Sequence, residues 1–235
     1  MPSANTNKIV GMIGSKGTGK STMAETIFKR RKRAVVFDTM GEYDYGFCVS
    51  ERLAFVRYLR ANENFRVCYL PLESADFGFV CKAVYLKASE SVRPKENLLY
   101  IVEEVTQYCS ALSTDEDFSR CIQLGRHANL DILYTGHRFA DIARRVTSQT
   151  DIFYCFRVSE PRDVEALAAR FGDEIAVRIS SLENLQYLRL EVGKDNRNVK
   201  PNVVCFGDRR ATGRVLYRGA IAGIGRESHP GESPR

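Results

Sequence analysis

The chain lacks any apolar run approaching the roughly 18–20 residues that a membrane-spanning helix needs. It also lacks a secretory leader: Met1-Pro2-Ser3-Ala4-Asn5-Thr6-Asn7 is short and polar. No membrane segment of its own is expected, and the expected site of action is the cytoplasm. Histidine is scarce, with only His127, His137 and His229, and the seven cysteines never stand as Cys-x-x-Cys. A zinc cluster is therefore short of ligands, and Cys68 and Cys155, set in apolar runs, read as buried free thiols of a reducing compartment. There is no internal repeat.

What is present suits one large α/β domain: 235 residues, 44% of them hydrophobic and 27% charged. The net charge of +6 is unevenly placed. Lys29-Arg30-Arg31-Lys32-Arg33 forms a solid basic block, and Arg209, Arg210, Arg214, Arg218 and Arg226 crowd the C-terminal end. Such clusters suit a polyanion, with nucleic acid the first candidate, or else a solvated helix end whose cations complement the dipole.

Apolar strand signals alternate with helical periodicity along the chain. Lys8–Ile13, Ala34–Asp38, Phe65–Leu70, Leu98–Val102, Asp131–Thr135 and Asp151–Val158 read as strands. Helices are expected at 20–31, 50–62, 76–90, 116–128, near 139–147, from Pro161 to Phe171, and at 173–181. Two further strand-like stretches, Tyr187–Val192 and Asn202–Phe206, close the core. Continuous apolar strands separated by helices mark a mostly parallel, twisted α/β sheet with helices on both faces. The tail from Gly207 is rich in Gly, Arg, Ser and Pro and reads as an arm (207–235) beyond a domain of residues 1–206.

The chemistry begins at Gly14-Ser15-Lys16-Gly17-Thr18-Gly19-Lys20-Ser21, followed by Thr22, which fits G-x-x-x-x-G-K-[ST] at every position. The glycines let successive N–H groups turn toward phosphate, and the helix that follows adds its positive end. Lys20 would reach the β- and γ-phosphates of ATP, and the Ser21 hydroxyl would ligate Mg²⁺. The motif lies between a predicted strand and a predicted helix, which makes the expected architecture that of a P-loop NTPase, RecA-like in layout.

The other half of such a site is an acid at the tip of a buried strand. Glu103 and Glu104 follow Leu98–Val102 directly, and adjacent residues of an extended chain point to different sides. Glu103 is expected on the metal side and Glu104 as the general base. Asp38 ends the second strand and would assist the metal or cap the turn Thr39–Glu42. His137 and Arg138 follow the strand Asp131–Thr135, where a sensor of the γ-phosphate would sit. Arg126, in Gly125-Arg126-His127, is a candidate for reaching a neighbour's γ-phosphate, with Arg144 and Arg145 as competitors.

These segments, with Val36-Phe37-Asp38-x-x-Gly41-Glu42-Tyr43, Ile101-Val102-Glu103-Glu104 and Thr135-Gly136-His137-Arg138, stand in the order seen in HerA/FtsK-type ATPases. Ser148–Asp151, Phe156-Arg157 and Glu160–Val164 extend the resemblance over residues 8 to 172. It departs at two places: Glu103 stands where that family has Asp, and His137 where it has Gln. The extra methylene of Glu103 favours contact with the metal through water, and a histidine sensor ties its charge to pH. The resemblance implies a homo-oligomeric ring, a hexamer, that moves double-stranded DNA, with ATP at subunit interfaces and an arginine supplied in trans. With seven residues before the first strand, neither a membrane segment nor an N-terminal β-barrel is expected. The layout resembles viral genome-packaging ATPases, which implies a host-cytoplasmic or virion-associated protein and a capsid or portal partner. Two other classes fit the loop: an ATP-switched assembly or secretion factor, and a small-substrate kinase with Arg162 and Arg170 as lid residues.

Overall fold

The computed structural model describes residues 7–90, 96–111, 113–192, 201–208 and 215–219, with the backbone alone for 201–205, 208 and 215–219. The chain runs β1 (Ile9–Ile13), α1 (Lys20–Arg30), β2 (Arg33–Phe37), β3 (Phe47–Val49), α2 (Arg52–Ala61), β4 (Phe65–Tyr69), α3 (Asp76–Ser89) and β5 (Leu98–Val102). Then follow α4 (Glu116–Leu124), β6 (Leu130–Gly136), α5 (Arg144–Thr147), β7 (Ile152–Phe156), α6 (Pro161–Phe171), α7 (Asp173–Ser180), β8 (Gln186–Val192), β9 (Pro201–Asp208) and β10 (Val215–Gly219). They build one sheet of order β10-β9-β8-β7-β1-β6-β5-β2-β4-β3. β3 to β7, with β1 and β2, pair in parallel, and β8, β9 and β10 continue the sheet antiparallel.

The unbroken apolar runs of the central strands follow from burial on both faces. Every residue of β2 and of β5 is buried. On one face Met12, Val36, Ile101 and Leu133 pack against Ala24 and Phe28 of α1. On the other, Val35, Phe37, Tyr100 and Tyr134 pack under α2, α3, α4, α6 and α7, represented by Phe55, Phe77, Phe118, Leu167 and Ile179. Helices thus cover both faces, as the alternating pattern requires. The basic block ends α1 and enters β2, at the sheet edge opposite the strand C-termini. Five of the six cysteines whose side chains are described (68, 81, 109, 121 and 155) are buried free thiols, and Cys48 is exposed.

Two strands lie where none was expected. β3 is three residues long and exposes Phe47 and Cys48, so it carries neither an apolar run nor a clean alternation. β10 pairs with β9 inside the segment expected as the arm from 207, so the sheet extends past Phe206. Arg209, Arg210, Arg214 and Arg226 lie outside the described residues, as does His229.

Candidate nucleotide site

In the parallel part of the sheet all C-terminal strand ends lie along one edge, where ligands of open α/β sheets bind. The loop 14–19 leaves β1 at this edge and is suspended between its neighbours. Gly14 N–H donates to Gly136 O at 3.3 Å, beside β6, and Ser15 N–H donates to Arg157 O at 2.9 Å, beside β7. Gly14, Gly17 and Gly19 take φ of 157°, 76° and 99°. At Gly14 the requirement is also steric: an added Cβ would stand 2.6 Å from the Cβ of Phe156. α1 opens on Gly19, which has no side chain to accept from its first-turn N–H groups, and no acid stands in that turn. Its positive end is left for an anion.

Lys20 is the first residue of α1 and its side chain folds back over the loop. Nζ donates to Gly14 O at 2.7 Å and Ser15 O at 3.0 Å, and lies 3.1 Å from His137 Nδ1. Burial lowers its pKa, and the carboxylates of Glu104, Glu103 and Glu42 oppose that shift. The other ring nitrogen, His137 Nε2, lies 2.8 Å from Glu104 Oε1. Nδ1 also lies 3.4 Å from Gly14 O, so the ring bridges the loop and Glu104. Lys20, His137 and Glu104 thus form a continuous chain across the site.

Glu104 has φ 51° and ψ 53°, a left-handed conformation uncommon for a residue with a Cβ. That twist separates the two adjacent carboxylates. Glu104 turns toward His137, while Glu103 goes inward, 4% exposed, between β6 and the loop after β2. Glu103 Oε2 accepts from Thr135 Oγ1 at 2.6 Å, and Oε1 accepts from Tyr43 Oη. Burial raises the Glu103 pKa; the bonds from Thr135 and Tyr43 oppose the rise, and the neighbouring Glu104 and Glu42 add to it. Tyr43 is itself held by the turn of Asp38, whose carboxylate accepts from Glu42 N–H at 3.1 Å and Tyr43 N–H at 2.9 Å. Asp38 is therefore the cap of that turn. Sequence reasoning missed Thr135 and Tyr43 as partners of the acid pair. The Thr135 signal was its place one residue past Tyr134, which the parallel register sets beside Val102.

Among the described residues no group of three or more His, Cys, Asp or Glu is placed to hold a metal ion by itself. Mg²⁺ takes one or two protein oxygens and completes its shell with phosphate and water. Ser21, in the first turn of α1, and Glu103 form an all-oxygen set of that kind, so the residues fit the ion. Both Glu103 oxygens already accept hydrogen bonds, which fits contact through water.

The remaining candidates lie elsewhere. Arg126 is exposed in a 3-10 turn before β6, with Nε directed at His127 Nε2 at 3.1 Å. The length of β6, roughly 20 Å, separates it from its own loop, so only a role in trans is open to it. Arg144 and Arg145 are exposed on α5, and Arg145 Nη1 donates to Ser119 Oγ at 3.3 Å. Arg138 turns from the site toward three acids: Glu160 at 2.9 Å, Asp163 at 3.3 Å and Asp141 at 3.5 Å. Arg162 and Arg170 belong to α6, whose Leu167 and Phe171 are in the core, not to a separate lid.

Solved structures share the fold. The genome packaging NTPase B204 of Sulfolobus turreted icosahedral virus 2, in complex with ATP-gammaS, superposes with a TM-score of 0.67 at 19% identity, over 81% of this chain and 94% of that one. The chain has the P-loop NTPase fold. The same P-loop NTPase core matches VirB4 of Thermoanaerobacter pseudethanolicus, with a TM-score of 0.52 and 11% identity over 81% of this chain and 88% of that one. It also matches EssC (ATPases 2 and 3) from Geobacillus thermodenitrificans, with a TM-score of 0.51 and 14% identity over 83% of this chain and 42% of that one. By sequence, residues 1–55 match the model of the type IV secretion-system coupling protein DNA-binding domain. No curated protein matches the chain by sequence. Among the described residues no helix is long and apolar enough to cross a membrane.

Proposed function

We propose that this chain binds ATP with Mg²⁺ at Gly14–Thr22, hydrolyses it, and uses the cycle to move double-stranded DNA as a genome-packaging ATPase. The observation that carries the hydrolytic reading is the chain of contacts from Lys20 through His137 to Glu104, at 3.1 and 2.8 Å. It joins the phosphate-binding lysine to a carboxylate that can take a proton from water. The loop N–H groups and Lys20 Nζ bind the phosphates, and His137 reports γ-phosphate on one side to the base on the other. Glu104 accepts a proton from the attacking water as its oxygen bonds to the γ-phosphorus. The bond to the β–γ bridging oxygen breaks, and ADP and phosphate leave. Mg²⁺, held by Ser21 and Glu103, would neutralise charge on the phosphate oxygens when bound.

The translocase half rests on two similarities: the 1–55 match to a coupling-protein DNA-binding domain and the shape shared with B204. It implies a homo-oligomeric ring, a hexamer by resemblance, with Arg126 offered to the next subunit's nucleotide and a capsid or portal partner. Phosphate release measured with and without saturating double-stranded DNA, together with mass in solution, tests it. DNA should raise the rate, and nucleotide should raise the mass. Rate and mass both unmoved by DNA and nucleotide would sink the translocase. The secretion-type similarities favour one other reading, an ATP-switched assembly or secretion factor. Such a switch would keep its partner binding in Glu104→Gln, where a motor stalls. Phosphate release without an added acceptor disposes of a kinase.

A further inference from the structure

We propose that Thr135 and Tyr43 are positioning residues for hydrolysis: from two sides they fix the direction in which Glu104 points. This rests on the hydrolase reading of the same site. The Thr135 hydroxyl does two things at once. It accepts from Glu104 N–H at 3.0 Å and donates to Glu103 Oε2 at 2.6 Å. The bond to Glu104 N–H anchors the backbone of the residue held at φ 51°, a conformation that persists only where its surroundings hold it. The donated proton ties that anchor to the buried carboxylate of Glu103. Tyr43 closes the other side by donating to Glu103 Oε1. It is 3% exposed, its ring packs edge-on to Phe28 of α1 at 5.7 Å, and Asp38 holds its backbone. Neither residue touches the loop 14–19 in these contacts. Both act on Glu104 through Glu103 and the backbone, so their loss should slow the chemical step and spare nucleotide binding.

Tyr43 also links the site to the surface. The loop from Asp38 to Gly46 carries Met40, 65% exposed, and Tyr45, 43% exposed, on its outer side. Its inner side is Tyr43 on Glu103. A contact that displaces this loop would change the aim of the base.

Steady-state phosphate release and titration with a fluorescent ATP analogue test the proposal in Thr135→Val, Thr135→Ser and Tyr43→Phe. Thr135→Val keeps the shape and removes the hydroxyl. It should lower kcat by about 10- to 100-fold, the worth of a hydrogen bond to a charged group, with KM and analogue affinity within about twofold of wild type. Thr135→Ser restores the hydroxyl and should recover most of the rate. Tyr43→Phe should lower kcat with affinity retained. A wild-type kcat in both Thr135→Val and Tyr43→Phe overturns the proposal. So does a Thr135→Ser as slow as Thr135→Val, or a loss of affinity that matches the loss of rate. Should Thr135→Val lose its cooperative melt, Tyr43→Phe, which removes one oxygen, decides. A wild-type protein that releases no phosphate fails the hydrolase reading itself, which is a different result from active variants.

Discussion

Replacing Gly14 with alanine should damage nucleotide binding more than its cost to stability would suggest. The new Cβ would stand 2.6 Å from Phe156 Cβ and 3.2 Å from Phe156 C, where ordinary contact begins at 3.4 Å. The two must therefore separate by about 0.8 Å (3.4 − 2.6). No rotamer relieves this, because the obstacle is a β-carbon and backbone of β7. The atoms that must move are the ones that work: Gly14 N–H is tied to Gly136 O, and Gly14 O receives Lys20 Nζ. Overpacking of this size costs about 1–3 kcal/mol of stability. A displacement near 1 Å at a positioned group costs about 100-fold in function. Gly172→Ala is the control, since Gly172 at φ +97° caps α6 with no atom within 4 Å of the added carbon. It should cost about 1–3 kcal/mol through backbone conformation alone. Thermal melts and fluorescent ATP-analogue titrations of both variants give the comparison. Gly14→Ala, which adds the clash to the same kind of backbone strain, should melt no higher than Gly172→Ala and bind far more weakly. If it binds as tightly as Gly172→Ala, the suspended loop does not depend on contact with Phe156 and the reasoning fails.

Glu104→Gln should retain ATP affinity and lower kcat by about 10²–10⁴-fold, the usual contribution of a general base, in single-turnover phosphate release. Asp76 accepts from Leu72 N–H, Glu73 N–H and Arg52 Nε. Burial pushes its carboxyl up, but those donors outweigh it and leave the pKa below the usual value. A depressed folded pKa gives stability that is present above the unfolded value and lost as pH falls through the folded one. Asp76→Asn should therefore be less stable at neutral pH and show a flatter loss of stability below about pH 4, read by denaturant titration at several pH values. In the basic block, Arg31 donates to Asn97 O and Asp131 Oδ2, both at 2.7 Å, so Arg31→Gln should cost about 1–3 kcal/mol. Arg30 is exposed with no ion pair among the described residues, and Arg30→Gln should change stability by less than about 0.5 kcal/mol.

The parts of the site visible in the sequence were those set by local grammar. Gly14–Ser21 is written in consecutive residues, and Glu103-Glu104 follow the most apolar strand, so both could be placed on one sheet edge by period and order alone. Asp38 fits two roles in the sequence because the choice between them depends on a turn: its carboxylate faces the N–H groups of Glu42 and Tyr43. The roles of Thr135 and Tyr43 depend on strand order, which sets β6 and β2 on either side of β5. Charge was the least informative signal. Of Lys29–Arg33, Lys29 pairs with Glu25 at 2.6 Å and Arg31 with Asp131 and Glu96, while Arg33 is buried over Phe65. Among the described residues, Arg30 and Lys32 are the exposed members of the block without an ion pair, so five adjacent basic letters amount to two unpaired exposed charges. β3 escaped notice because a three-residue edge strand with two exposed side chains needs its neighbour to define it.

The glutamate at 103, where the resembled family has aspartate, has a structural reason in its partners. A carboxylate at this depth needs its oxygens satisfied, because burial alone drives it toward the neutral form. An aspartate is shorter by one carbon–carbon bond, about 1.5 Å, which exceeds the slack in a hydrogen bond. From the same backbone it would not reach Thr135 and Tyr43 together. The longer side chain meets both, and in doing so joins the loop after β2 to the end of β6 across the end of β5. Glu103 is a carboxylate fixed by two hydroxyls, one of which also accepts from the backbone N–H of Glu104. On the proposed reading, Glu103 belongs to the frame that orients the base, and the two adjacent acids work together.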